Sequence, residues 1–166
     1  CRLAVSNQKI SIIEVNLDDS WMRDIAPIFY KEEQQLKSIN FNFNGYGKYP
    51  NYKNDNLLSD IICDQFKIPY KNSSITLEGG GITYDDQGNL FTTESVLLNS
   101  NRNNLSKQFL EEELKKQFSL KNVIWLKEGL FGDDTDGHID NIFCPIGNDQ
   151  YLICLLYTSP SPRDGH

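Results

Sequence analysis

Twice in this chain an amphipathic helical stretch is followed by a short apolar strand whose end delivers carboxylates beside glycines. In the first instance Asp55 reads as the N-cap of a helix of about a dozen residues. Leu57, Leu58, Ile61, Ile62 and Phe66 fall on one face of it, and Pro69 stops it. The strand after it, Ile75-Thr76-Leu77, ends in Glu78-Gly79-Gly80-Gly81. In the second instance Ser106 caps the helix, Leu105 can staple onto Leu110, and Leu110, Leu114 and Phe118 form the apolar stripe. The strand at residues 123–126 then leads into the run Gly132-Asp133-Asp134-Thr135-Asp136-Gly137-His138-Ile139-Asp140-Asn141. Between the two lies a hairpin, Ile82-Thr83-Tyr84 and Leu90-Phe91-Thr92-Thr93 around an Asp/Gly/Asn turn. Helix, strand and acidic loop in fixed order predict an α/β chain built from one repeated unit, with loops that can be aimed at a common centre.

The rest of the chain is less regular. Residues 10–15 read as a mostly buried strand, and residues 16–27 as a polar turn carrying Trp21, Arg23 and Asp24. Residues 28–30 read as a short strand, and residues 31–50, rich in charge and then in Asn, Gly and Tyr, as a long surface loop. At 166 residues and 39% hydrophobic, the chain suffices for one domain with a real core. A net charge of −7 disfavours nucleic acid and anionic membranes as partners, and no apolar run approaches membrane-spanning length. Cys1, Cys63, Cys144 and Cys154 are widely spaced with no CxxC pair, which suits a reducing compartment and predicts a cytoplasmic protein. The chain starts at Cys1 without an initiating Met, so a lost signal peptide would leave no trace. Composition changes abruptly after residue 154, with Pro160 and Pro162 close together. Residues 1–154 are therefore read as the domain, and residues 155–166, His166 included, as a non-native tail of the adapter or vector read-through kind.

The run at 132–141 packs four carboxylates and a histidine into ten residues. If Ile139 lies in a strand, His138 and Asp140 project from one face of it. A Gly/Asp turn feeding a strand accounts for the same residues. A calcium loop lacks its phasing and its twelfth-position Glu, and a zinc site lacks imidazoles. Three acidic loops, bearing Asp24, Glu78, and Asp134 with Asp140, could line one pocket together with His138. Carboxylates so crowded repel one another unless a cation sits among them. A guanidinium suits that place because its planar fork of N–H groups is accepted by carboxylates in pairs, and Trp21 could add an aromatic wall. Structural readings stand beside these: Glu78 as a cap on the glycine turn, Asp24 paired with Arg23 or Arg102, and Trp21 as core.

The stretches Asp-Ser-Trp-Met-Arg-Asp-Ile-Ala-Pro (19–27), Leu-Glu-Gly-Gly-Gly-Ile (77–82), Thr-Thr-Glu-Ser-Val-Leu-Leu-Asn-Ser-Asn-Arg-Asn (92–103) and the run at 132–141 resemble, in this order, the agmatine deiminase family, which includes the Porphyromonas-type peptidylarginine deiminases. The resemblance implies the pentein fold, a β/α-propeller of five ββαβ-type units around a central guanidine site, here as an incomplete ring. It implies that Asp24 and Asp140 clamp the guanidinium, that His138 is the general acid/base, and that Glu78, Asp134 and Trp21 help to bind the substrate. It further implies hydrolysis of agmatine to N-carbamoylputrescine and ammonia through a cysteine intermediate, without metal or organic cofactor, with agmatine as the partner and the parent protein open to homo-oligomerisation. The family's nucleophile lies in a Gly-rich His-Cys segment that nothing here matches. Cys63 is read as a helix residue and Cys144 and Cys154 as buried strand residues, so the chain reads as an interior fragment ending before the nucleophile. The same chemistry on peptidyl-arginine, in a secreted enzyme, and a non-catalytic binder of guanidino ligands remain open.

Overall fold

The computed structural model describes residues 12–154. A single-turn helix α1 (Met22–Ile25) precedes the first unit, which consists of β1 (Ile28–Glu32), β2 (Gln35–Asn42), α2 (Asp55–Phe66) and β3 (Tyr70–Thr76). The second unit repeats it with β4 (Ile82–Tyr84), β5 (Asn89–Thr93), the short helix α3 (Glu94–Leu97), α4 (Lys107–Phe118) and β6 (Asn122–Leu126). In each unit the first two strands are antiparallel and the third runs parallel to the second, giving sheet orders β1-β2-β3 and β4-β5-β6. A third hairpin follows, β7 (Phe143–Gly147) with β8 (Gln150–Ile153). The repeat predicted from two helix–strand pairs is thus a ββαβ-type unit, which among the described residues is present twice and begun a third time.

Local chemistry explains the likeness of the units. The β1–β2 hairpin turns on Glu33 and Gln34, and the β7–β8 hairpin on Asn148 and Asp149, all four at positive φ. Two-residue turns of that kind match the right-handed twist of the strands they join. Both long helices end on a left-handed residue, Lys67 at φ 55° and Ser119 at φ 55°, and each chain re-enters its sheet directly afterwards. Ser106 caps α4 as predicted, its hydroxyl accepting from the Phe109 N–H.

The main core joins the two units. Ile75 and Leu77 from the first meet Ile82, Leu90, Val96, Leu97, Leu110 and Leu114 from the second, all buried. Full burial of a leucine contributes about 1.5–3 kcal/mol, so Leu110 and Leu114 suffice to dock α4. A second cluster gathers Ile25, Phe43, Tyr46 and Leu58 under the N-terminal segment, and a third, Phe91, Ile139 and Phe143, seats the last hairpin.

Several expectations are corrected. Residues 31–50 are not a surface loop: β2 occupies most of the first half, with Ser38, Ile39 and Asn40 buried. Its polar residues are buried because they are partnered, Ser38 Oγ on Asn40 Oδ1 at 2.7 Å and Asn40 Nδ2 on Asp60 at 2.7 Å. Of the strand expected at 10–15, residues 12–15 are irregular and largely exposed, and the remainder lies outside the described residues. Asp55 does not cap α2; it is the first helical residue, buried, and its Oδ1 accepts the Asp18 and Asp19 amides. The buried face of α2 is Asp55, Leu58, Ser59 and Cys63, while Leu57, Ile61 and Phe66 are exposed. Lys67, not Pro69, ends that helix. Cys63 lies in α2 as expected and is buried there, but Cys144 and Cys154 are exposed. Ile139 lies in a 3-10 turn (Ile139–Asn141) and not in a strand. The segment read as a tail, 155–166, lies outside the described residues.

Candidate active site

Three segments meet at the glycine turn Gly79–Gly81. A methyl group on Gly80 would stand 2.5 Å from His138 Nδ1, 2.7 Å from Asp24 Oδ1 and 3.0 Å from Asp140 Oδ2, so three polar side chains converge on one backbone point. On Gly79 it would lie 2.0 Å from the Arg23 carbonyl. Only glycine lets α1 and the 3-10 turn at Ile139–Asn141 approach this closely.

Asp24 is nearly buried and both its oxygens are engaged. Oδ1 accepts the Gly80 N–H at 2.8 Å and Oδ2 accepts the Tyr46 hydroxyl at 2.8 Å. Tyr46 reaches it from a Gly-Tyr-Gly turn in which the tyrosine itself sits at φ 59°. Burial, with the Asp24 carboxylate beside it, pushes the Tyr46 phenol well above its usual range. His138 is 3% exposed, with Nδ1 3.6 Å from Asp24 and Nε2 3.6 Å from Glu78 Oε2. Glu78 has no exposure at all and lies behind the imidazole, not on the cavity wall. Burial would raise its carboxyl, but the neighbouring His138 and Arg102 outweigh that and hold it low.

Asp140 is paired with Arg23 (Nε to Oδ2, 3.3 Å). Its carboxyl is raised, first by burial and further by Asp24, against the opposing charges of His138 and Arg23. Asp133 holds the loop: its Oδ2 accepts the Thr135 hydroxyl, the Gly137 and His138 amides at 3.1 Å each, and the Asn141 amide at 3.2 Å. These donors overcome burial and keep the Asp133 carboxyl low.

A cavity of about 740 Å³ opens over these groups, lined by Asp24, His138 and Asp140 within and by the exposed Trp21, Tyr49 and Phe131 at its mouth. Asp134 lines it too, and its carbonyl accepts from Lys48 Nζ at 2.6 Å. Trp21 is 60% exposed, its indole donating to Asp19, and is not core. Of the six residues singled out in the sequence, five border the cavity and Glu78 supports it from behind. The arrangement is anionic, aromatic at the rim, and carries one imidazole: it can hold a planar cation and exchange a proton with it. Among the described residues no group of three His, Cys, Asp or Glu side chains is placed to hold a metal ion. None of Cys63, Cys144 and Cys154 lines the cavity. A second cavity, about 500 Å³ and mostly apolar, lies between β1 and β4 without a histidine.

Sequence reasoning passed over Tyr46, Asp136 and the way Arg102 is used. Asp136, at φ 68°, accepts from Arg102, from Asn101 Nδ2 at 3.0 Å and from Lys48 Nζ at 2.7 Å, sewing three loops together. Arg102 and Asn101 stand inside the Asn-Ser-Asn-Arg-Asn stretch, which is the signal that could have found them. For Tyr46 the only signal was its two flanking glycines.

The profile of the Porphyromonas-type peptidyl-arginine deiminase family matches residues 2–164, a span that takes in part of the terminal segment. The chain is 40% identical to the agmatine deiminase of Medicago truncatula over 170 residues, covering 93% of this chain and 46% of that protein. Among solved structures it is similar to a C. jejuni agmatine deiminase with substrate bound (TM-score 0.83, 34% identity, 89% of this chain and 45% of that one). It is also similar to the agmatine deiminase of Enterococcus faecalis (TM-score 0.79, 30% identity, 85% and 41%). The chain thus spans about half the length of the relatives it matches. A profile match along nearly the whole sequence, on a chain folded like these enzymes, carries the assignment: the chain belongs to the Porphyromonas-type peptidyl-arginine deiminase family and has the pentein fold.

Proposed function

We propose that the whole protein is an agmatine deiminase and that this chain supplies the guanidine-binding and proton-exchanging side of its site. The observation that carries the reading is the convergence of Asp24, His138 and Asp140 on Gly80 beneath an aromatic-rimmed cavity. Asp24 and Asp140 accept the guanidinium N–H groups, Asp134 and Trp21 bound the rest of the substrate, and Glu78 supports His138. A cysteine thiolate attacks the guanidinium carbon, and His138 protonates the departing ammonia. Water, deprotonated by His138, then adds to the same carbon, the C–S bond breaks, and N-carbamoylputrescine leaves with the thiolate restored. A thiolate suits this step because a delocalised cation is a poor electrophile. No described cysteine reaches the cavity, so this chain is expected to bind guanidines without sustained turnover. The free thiols of Cys63, Cys144 and Cys154 suit a reducing, cytoplasmic setting.

Ammonia release by the whole protein, with agmatine and with a peptidyl-arginine as substrates, tests the assignment. Turnover of agmatine supports it. Turnover of the peptide alone transfers the reading to peptidyl-arginine, and binding of agmatine without turnover of either makes the protein a guanidino-ligand binder.

A further inference from the structure

Arg102 has a fully buried side chain whose nitrogens are all taken up by protein oxygens. Nε donates to Glu78 Oε1 at 3.0 Å and Nη2 to the Thr135 carbonyl at 3.0 Å. Nη1 donates to Asp136 Oδ2 and to Asn101 Oδ1, the latter at 3.0 Å. On the far side of the same carboxylate, Glu78 Oε2 is buried without a hydrogen-bond partner, and so is Nε2 of His138; the two atoms face each other at 3.6 Å.

Two carboxylates compete for the imidazole proton. Asp24 faces Nδ1 at 3.6 Å, but its oxygens already accept from Gly80 and Tyr46. Glu78 has one oxygen committed to Arg102 and the other unsatisfied. A buried acceptor left unpaired is costly, so Glu78 has the stronger demand. An arginine can only donate, which fixes which Glu78 oxygen stays free and where it points.

We infer that Arg102 is a positioning residue for His138: by holding the Glu78 carboxylate it places the resident imidazole proton on Nε2 and leaves the Nδ1 lone pair towards Asp24 and the cavity. The proton that comes and goes is then the one on Nδ1. Through Thr135 and Asp136 the same guanidinium also ties down the loop that carries His138. The charged and titratable groups around the imidazole are Glu78 behind it, Asp24 and Asp140 in front, and the Tyr46 ring beside it at 6.0 Å, with Arg23 beyond Asp140. The catalytic meaning of that proton rests on the guanidine reading above. Its location does not, so the two ideas can fail separately.

Nitrogen-15 NMR of the imidazole, in the chain carrying His166→Gln so that one histidine reports, tests it. The neutral ring is expected as the Nε2–H tautomer. In Glu78→Gln, Arg102 keeps the amide oxygen, the amide N–H group turns to Nε2, and the tautomer reverses to Nδ1–H. Adding Arg102→Met removes both members of the pair, frees the amide to rotate, and turns the reversal into a mixture. Should either variant fail to fold by circular dichroism, Arg102→Lys decides, and it is expected to keep Nε2–H. An Nδ1–H tautomer in the parent chain overturns the inference. So does an unreversed tautomer in folded Glu78→Gln, a complete reversal in the folded double variant, or loss of Nε2–H in Arg102→Lys.

Discussion

Arg102 donates from Nε to Glu78 Oε1 at 3.0 Å, and neither side chain has any exposed surface. The pair ties the end of β3, in the first unit, to the segment that leads into α4 in the second. Glu78→Ala strips the counter-charge from a buried guanidinium, and breaking a buried pair from one side costs about 3–5 kcal/mol. Urea denaturation of the variant chain should show a loss of that size, whereas a change within about 0.5 kcal/mol would mean that Asp136 alone compensates Arg102.

Gly80 is placed where a side chain cannot be. Gly80→Ala puts a methyl group among Asp24, His138 and Asp140, and overpacking of this kind costs about 1–3 kcal/mol. Gly79→Ala should cost more, because the obstacle there is the Arg23 backbone and not movable side chains. Denaturation midpoints of the two variants give the order, and the reverse order would show that α1 yields more easily than the carboxylate cluster.

Tyr46→Phe removes the hydroxyl that Asp24 Oδ2 accepts and nothing else. A hydrogen bond to a charged group is worth about 1.5–3 kcal/mol, so stability should fall by up to that amount. Calorimetric affinity for agmatine should fall with it, because Asp24 loses its fixed orientation. Equal affinity in both proteins would show that the Gly80 amide suffices to hold the carboxylate.

Stability should depend on pH in two opposed windows. Glu78, Asp133 and Asp136 are held below their ordinary values, each against burial, by donors that prevail. The unfolded chain therefore binds more protons below about pH 4, the ordinary carboxyl range, and stability rises with pH there. Asp140 is raised, chiefly by burial. Just above the ordinary Asp value it keeps its proton only in the folded state, so its contribution falls as pH rises. Asp140→Asn should accordingly gain stability relative to the parent chain between acid and neutral pH. Denaturation curves across that range check the sign, and a relative loss would show that the Arg23 pair dominates.

Much of the frame could be read locally. The β4–β5 hairpin, the capped α4 with Leu110 and Leu114 buried, and the length of α2 all follow from turn residues, a cap and periodic apolar positions. Those signals act over a few residues and need no distant partner. The site motifs were legible too: five of the six residues named from the sequence border one cavity.

What only the tertiary structure decided is how segments far apart in the chain meet. β2 looked like a loop because its stretch is rich in charge and in Asn, Gly and Tyr; its polar Ser38 and Asn40 are buried because they bond to each other and to Asp60 and lie between two flanking strands. The apolar residues of α2 read as one face, yet the structure buries Leu58 and exposes Leu57, Ile61 and Phe66, a choice that belongs to the cluster of Ile25, Phe43 and Tyr46 beneath the helix. The glycines after Glu78 were visible as a turn, but the close approach that requires them comes from Arg23 and His138, residues distant along the chain. Arg102 was in plain view in its motif. That it would be buried between Glu78 and Asp136 depends on two units closing around it, since a buried charge is tolerated only where folding brings its partners to it.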